Sequence, residues 1–122
     1  MRQSKYHSTK VTYDGITFDS RKECRRYQTL RMLERGGAIT NLRRQVRFEL
    51  IPNQYKMVTV KLQTKQKQKE VLAERKVEYV ADFVYEREGA TIVEDAKGIR
   101  TADYIIKRKL MLWVYNIKIE EI

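Results

Sequence analysis

A chain of 122 residues with 42% hydrophobic and 34% charged side chains has room for one domain, residues 1–122, around one core, and its formal net charge of +10 makes a surface that attracts polyanions. No apolar run approaches the roughly 20 residues needed to cross a bilayer and no signal-peptide pattern follows Met1, so the composition points to a soluble, cytoplasmic protein with no membrane partner. The lone Cys24 cannot close an internal disulfide and has only His7 for company, which excludes a zinc cluster and leaves oxygens to hold any metal.

Residues 1–10 (MRQSKYHSTK) are polar and basic without a period and read as a loose arm. Val11 to Phe18 alternates around Asp14-Gly15, a short hairpin signal. From Ser20 the pattern turns helical, with Cys24, Tyr27, Leu30 and Leu33 spaced for one buried face and Gly36-Gly37 as a stop. Ile39 to Leu42 is a short apolar return. Val46, Phe48 and Leu50 then alternate as a strand that ends before Pro52, the chain's one proline. Met57 to Leu62 reads as a further strand, and Gln63 to Lys69 (QTKQKQK) as a basic loop with nothing to bury.

Val77 to Tyr85 and Thr91 to Lys97 are strand-like runs joined at Glu88-Gly89. Thr101 is a plausible N-cap for a helix through about Val114, and Ile117 to Ile122 closes the order as a strand. The second helix is apolar on more than one side, since Tyr104, Ile105, Ile106, Leu110, Met111, Leu112, Trp113 and Val114 cannot share one stripe. It is expected to be deeply buried, with self-association into a homodimer as the other reading. These elements make an α/β chain with a mixed central sheet of about four strands flanked by helices.

The chemistry concentrates in Tyr79 to Gly98, YVADFVYEREGATIVEDAKG. With a two-residue turn at Glu88-Gly89, residues whose numbers sum to 177 face each other, so Asp82 lies opposite Asp95 on one face. A three-residue loop would set Asp82 opposite Glu94 instead, but only Asp95 has the parity of Lys97, two residues on. Opposed carboxylates repel unless a cation neutralises them, and Mg²⁺ or Mn²⁺ prefers such oxygens. Upstream, Glu23 falls on the stripe of Tyr27 and Leu30. It is either the third-position glutamate of a capping box opened by Ser20, a metal or water ligand, or both.

Asp82, the Asp95-Ala96-Lys97 triplet and a glutamate on the first helix resemble the PD-(D/E)XK nuclease superfamily. The segments DSRKE, VADF and VEDAKG stand in an element order similar to that of its small phage and prophage endonucleases and of Holliday-junction resolvase-like nucleases. The sequence departs from the pattern at Ala81, where the superfamily name has proline, and in carrying aspartate at position 95. The resemblance implies a restriction-endonuclease-like core over roughly Val11 to Ile122. It also implies metal bound by Asp82 and Asp95 with Glu23 as accessory ligand, and Lys97 orienting or activating water.

Phosphodiester hydrolysis needs an activated water, stabilisation of charge on the phosphorus and help for the departing oxygen, all of which carboxylate-held metal can supply. Serine and cysteine triads lack a suitable histidine, and no glycine-rich phosphate loop is present. The expected partner is DNA, branched or duplex, contacted by Arg43, Arg44, Gln45, Arg47, Lys65, Lys67, Lys69, Arg100, Lys107 and Arg108. The expected activity is that of a Mg²⁺-dependent endodeoxyribonuclease, phage-encoded and acting in DNA recombination, replication or processing in the host cytoplasm. The alternatives are a non-catalytic nucleic-acid-binding accessory protein and an RNA-binding or ribosome-associated protein, the second of which leaves the Asp82, Asp95 and Lys97 grouping unexplained.

Overall fold

The structure is a computed structural model that describes residues 9–97 and 99–122, so most of the arm expected over residues 1–10 lies outside the described residues. In chain order it runs β1 (Val11–Tyr13), β2 (Ile16–Phe18), α1 (Arg21–Arg35), β3 (Thr40–Ile51), β4 (Gln54–Lys61), β5 (Gln66–Glu74), β6 (Val77–Arg87), β7 (Ala90–Asp95), α2 (Ala102–Tyr115) and β8 (Glu120–Glu121). The central sheet has the order β3-β6-β7-β8, with antiparallel pairs throughout except the parallel pair β7 and β8. It is the four-stranded mixed sheet flanked by helices that the sequence leads one to expect. Among the described residues no helix is long and apolar enough to cross a membrane.

Each face of the sheet is covered by one helix. Phe18, Cys24, Tyr27 and Leu30 pack with Phe83 and Tyr85 on the α1 side, whereas Tyr104, Met111 and Ile119 pack with Tyr79, Ala81, Val84 and Val93 on the α2 side. Strand alternation would put Ala81 and Phe83 on one face. They lie in different clusters, and so do Leu42 and Val46 of β3. The switch in both strands falls at one rung, because Arg44 pairs with Phe83 and Val46 with Ala81, which leaves Gln45 opposite Asp82. Gln45 has φ +52, a left-handed conformation that turns β3 over. A matched turnover in both strands keeps their register while freeing one rung of the sheet from alternation.

The hairpin between β6 and β7 turns at Glu88 (φ +51) and Gly89 (φ +78), the doubly left-handed turn whose twist suits paired strands. Its pairs, from Arg87 with Ala90 to Phe83 with Glu94, all sum to 177, and the ladder ends one rung short of Asp82 and Asp95, which that register would set against each other.

Several expectations are corrected. Gln63 to Lys69 is not a loop, because Gln66 begins β5 and pairs with Lys61 of β4; only Leu62 to Lys65 turns the chain. Cross-strand pairing, which a strand-by-strand hydropathy reading does not see, overrides the polar composition. Ile39 to Leu42 and the Val46 run are not separate, since β3 is one strand with register shifts between Thr40 and Arg43 and between Glu49 and Ile51. The closing strand shrinks to Glu120–Glu121. Leu33 is 38% exposed and so leaves the buried face of α1. The second helix is not deeply buried either: Tyr104 and Met111 are inside, but Trp113 is 83% exposed and Ile106, Leu112 and Val114 are exposed with it. One sheet face can cover only one stripe of a helix, and no other element of the described chain covers the rest.

Candidate functional site

The turned-over rung is where the acidic residues gather. Asp82 Oδ2 accepts a hydrogen bond from the Ala96 N–H at 2.8 Å, which docks the end of β7 against β6. Asp95 Oδ2 accepts one from the Tyr79 hydroxyl at 2.6 Å. Each carboxylate therefore has its Oδ2 anchored by a short bond, Oδ1 has the longer contact, and the two carboxyl groups lie close enough to interact directly. For Asp82 Oδ1 the contact is Gln45 Nε2 at 3.4 Å, and for Asp95 Oδ1 it is Lys97 Nζ at 3.5 Å.

Lys97 lies beyond the last residue of β7, so strand parity alone does not place it; its ammonium is also held 4.5 Å above the Tyr104 ring centroid. The amine thus stands beside Asp95 with two tethers, and about a third of it remains exposed.

Glu23 is buried in the first turn of α1. Ser20 Oγ accepts from the Glu23 N–H at 3.2 Å, which is the N-cap half of a capping box. The carboxylate reaches into the site: Glu23 Oε1 lies 3.4 Å from Arg44 Nη2 and 3.4 Å from Gln45 Nε2. Gln45 therefore spans Glu23 and Asp82 with one amide group.

These acids perturb one another. Burial, then the neighbouring Asp95 charge, pushes the Asp82 carboxyl up to about 7; the Ala96 N–H opposes the rise and Glu23 adds to it. Burial likewise raises Glu23, offset in part by Arg44. The Tyr79 hydroxyl is raised by burial and by the bond it donates to Asp95, so it remains a donor at any physiological pH.

Glu94, the acid that a longer turn would have set against Asp82, belongs to the other face. It is fully buried, where Arg26 holds it with two bonds, Nε at 2.7 Å and Nη2 at 2.6 Å, and the Tyr85 hydroxyl donates to it. This pair bolts α1 to β7 and sets the position of Glu23 one turn earlier on the same helix. Arg26, Tyr79 and Tyr85 were not singled out in the sequence. The available signal was Arg26 three residues after Glu23, on the same helical face.

The basic residues divide. Arg43 pairs with Glu86 at 3.1 Å, Arg47 with Glu78 at 3.7 Å, and Arg100 and Arg108 both pair with Glu121. Arg44, besides reaching Glu23, stacks 4.5 Å from the Phe18 ring centroid. Lys107 lies half-buried on α2. Lys65, Lys67 and Lys69 are exposed on the tip and second strand of the β4–β5 hairpin.

Among the described residues no three His, Cys, Asp or Glu side chains converge as a metal-binding group, so Glu23 does not complete a ligand set with the aspartates. Mg²⁺ commonly keeps several waters and takes one or two carboxylates. Asp82 and Asp95 meet that smaller requirement in number, as two neighbouring carboxylates.

No curated protein and no solved structure matches the chain. A family profile matches residues 3–121, nearly the whole length, and the chain belongs to that family, described as protein of unknown function DUF1064.

Proposed function

We propose that the chain is a divalent-metal-dependent endodeoxyribonuclease that hydrolyses phosphodiester bonds, phage-encoded and acting on DNA in recombination, replication or processing in the host cytoplasm. The observation that carries this reading is the Asp82 and Asp95 pair with Lys97 Nζ 3.5 Å from Asp95, set in a chain of net charge +10. Mg²⁺ or Mn²⁺ held by Asp82 and Asp95 would supply Lewis-acid charge at the scissile phosphate. Tyr79 and the Ala96 N–H orient the two carboxylates. Lys97 offers a fixed positive charge to the phosphate or takes the proton of the attacking water. Gln45, which donates toward both Glu23 and Asp82, holds the helix-borne acid against the sheet-borne one. The exposed outer face of α2 around Trp113 suits a second copy of the chain, and two copies would bring two sites to two strands.

The test is cleavage of plasmid and branched DNA with Mg²⁺ or Mn²⁺, with Asp82→Ala and Lys97→Ala expected to lose cutting and keep binding. Full cleavage by the Lys97→Ala protein would falsify the catalytic assignment. The second reading, a non-catalytic nucleic-acid-binding accessory protein, is favoured by the lack of a three-ligand group among the described residues. It predicts equal DNA binding with no cutting in any metal.

A further inference from the structure

Strands β4 and β5 pair only with each other, forming a two-stranded sheet apart from the central one. Two strands alone are marginal in water, so a long free ribbon needs a reason to be retained. It continues the β3 and β6 pair outward, since Ile51 pairs with Val77 and, across the Pro52 turn, Gln54 pairs with Glu74. The Lys76 N–H bonds Asn53 Oδ1 at 2.7 Å and closes its base.

The register sorts its side chains into two faces. On one face three successive rungs set a lysine opposite a valine, Lys56 with Val71, Lys69 with Val58 and Lys67 with Val60, and the base rung sets Gln54 opposite Glu74. These three lysines are exposed, none makes an ion pair among the described residues, and Glu74 at the base of their face pairs with none of them. Glu70 lies on the opposite face, level with Met57.

The eight residues of β4 span roughly 27 Å, and paired strands lie about 4.8 Å apart. A two-stranded ribbon fits the major groove of B-form DNA, about 12 Å wide, but not the narrow major groove of A-form RNA. Asp82 lies five residues along β6 from the ribbon's base, about 17 Å of strand, so one duplex can reach both.

We propose that the β4–β5 ribbon lies in the major groove of duplex DNA with Lys56, Lys67 and Lys69 reaching the flanking phosphates. The proposal deepens, and rests on, the reading of the chain as a DNA-acting protein. It makes B-form duplex the substrate and the ribbon the element that aligns it with the acidic rung.

The test is fluorescence anisotropy of the full chain with a 20-base-pair DNA duplex and with double-stranded RNA of equal length, in EDTA so that nothing is cut. The Lys56→Ala/Lys67→Ala/Lys69→Ala protein, checked for folding by circular dichroism, is expected to bind DNA at least tenfold more weakly at moderate salt. Its slope of log affinity against log salt should fall by about 2.7, three contacts at roughly 0.9 each. Wild-type protein should favour DNA over RNA, and the triple variant should lose most of that preference. An unchanged affinity and slope overturns the proposal, as does RNA binding that matches DNA binding and depends equally on the lysines. So does a change of sedimentation in the triple variant, which would assign the face to contact between copies. Set beside the cleavage assay in Mg²⁺ or Mn²⁺, lysine-dependent binding without cutting would defeat the nuclease reading alone, whereas cutting with lysine-independent binding would defeat the ribbon alone.

Discussion

At the acidic end of the central sheet, Glu23, Glu94 and Asp95 are buried and each meets partners on another element, whereas Lys56, Lys61, Lys65, Lys67 and Lys69 of the ribbon and its turn are exposed and make no ion pair among the described residues. A charge taken out of water is costly unless bonded, so each buried acid dictates where its neighbours stand. A lysine left in water costs nothing and remains available to a polyanion. The arginines flagged as phosphate contacts mostly fall on the first side of this divide, because Arg43, Arg44, Arg47, Arg100 and Arg108 each have a glutamate partner. The net charge of +10 thus says that there is a basic surface, and the pairing leaves five lysines of the ribbon and its turn among the cations that no acid holds.

The largest effects should come from the sheet. Asp82→Ala should reduce cleavage to background and Lys97→Ala should lower it by about 10²- to 10⁴-fold, read as the rate of plasmid nicking with Mn²⁺. Undiminished nicking by either protein would place the chemistry elsewhere.

Next is the bolt between α1 and β7. Arg26→Ala leaves Glu94 buried without its cation and should destabilise the fold by about 3–5 kcal/mol in urea denaturation. A loss under 1 kcal/mol would show that water reaches Glu94 and that the pair is not an internal one.

A pH effect follows from Asp82. Its carboxyl is raised from 3.8 to about 7 in the folded chain, so between those values the folded state holds more protons than the unfolded one. Stability attributable to this group is therefore full below about pH 4 and is lost as pH rises through about 7. Asp82→Asn should flatten that decline in thermal melts. A cation that binds the ionised pair should oppose it, so Mn²⁺ should raise the melting temperature more at pH 8 than at pH 6, and equal shifts at both would count against the carboxylate pair as its site.

The smallest effect sharpens the contrast from the other side. Replacing Lys56, Lys67 or Lys69 by alanine should change stability by no more than about 0.5 kcal/mol each, measured in the same urea titration, because each is exposed and unpaired. A larger loss would mean that the ribbon face packs on something in the free protein.

The helices were legible because their signals are local. Ser20 and Thr101 cap them as read, with side chains that accept from Glu23 N and Tyr104 N, and Gly36 and Asn116 end them. The Glu88-Gly89 turn was legible for the same reason, and from it alone came the register that opposes Asp82 and Asp95. The ribbon was half missed because a run such as Gln66 to Lys69 has no apolar face of its own and becomes a strand only through its partner.

What the sequence by itself determined is therefore the tight turn that brings Asp82 and Asp95 together and the helix caps, set within short stretches, whereas Lys97, beyond the end of β7, is placed by Asp95 and the Tyr104 ring. Only the tertiary structure decided that Glu94 would be taken by Arg26 from a helix 68 residues away, that Glu23 would turn to Arg44 and Gln45, and that β3 and β6 would turn over together at one rung. The same holds for the outer face of α2, which periodicity suggested was buried. These outcomes depend on which buried charge finds which partner and on how much surface two layers can cover, and both are settled only when distant segments pack.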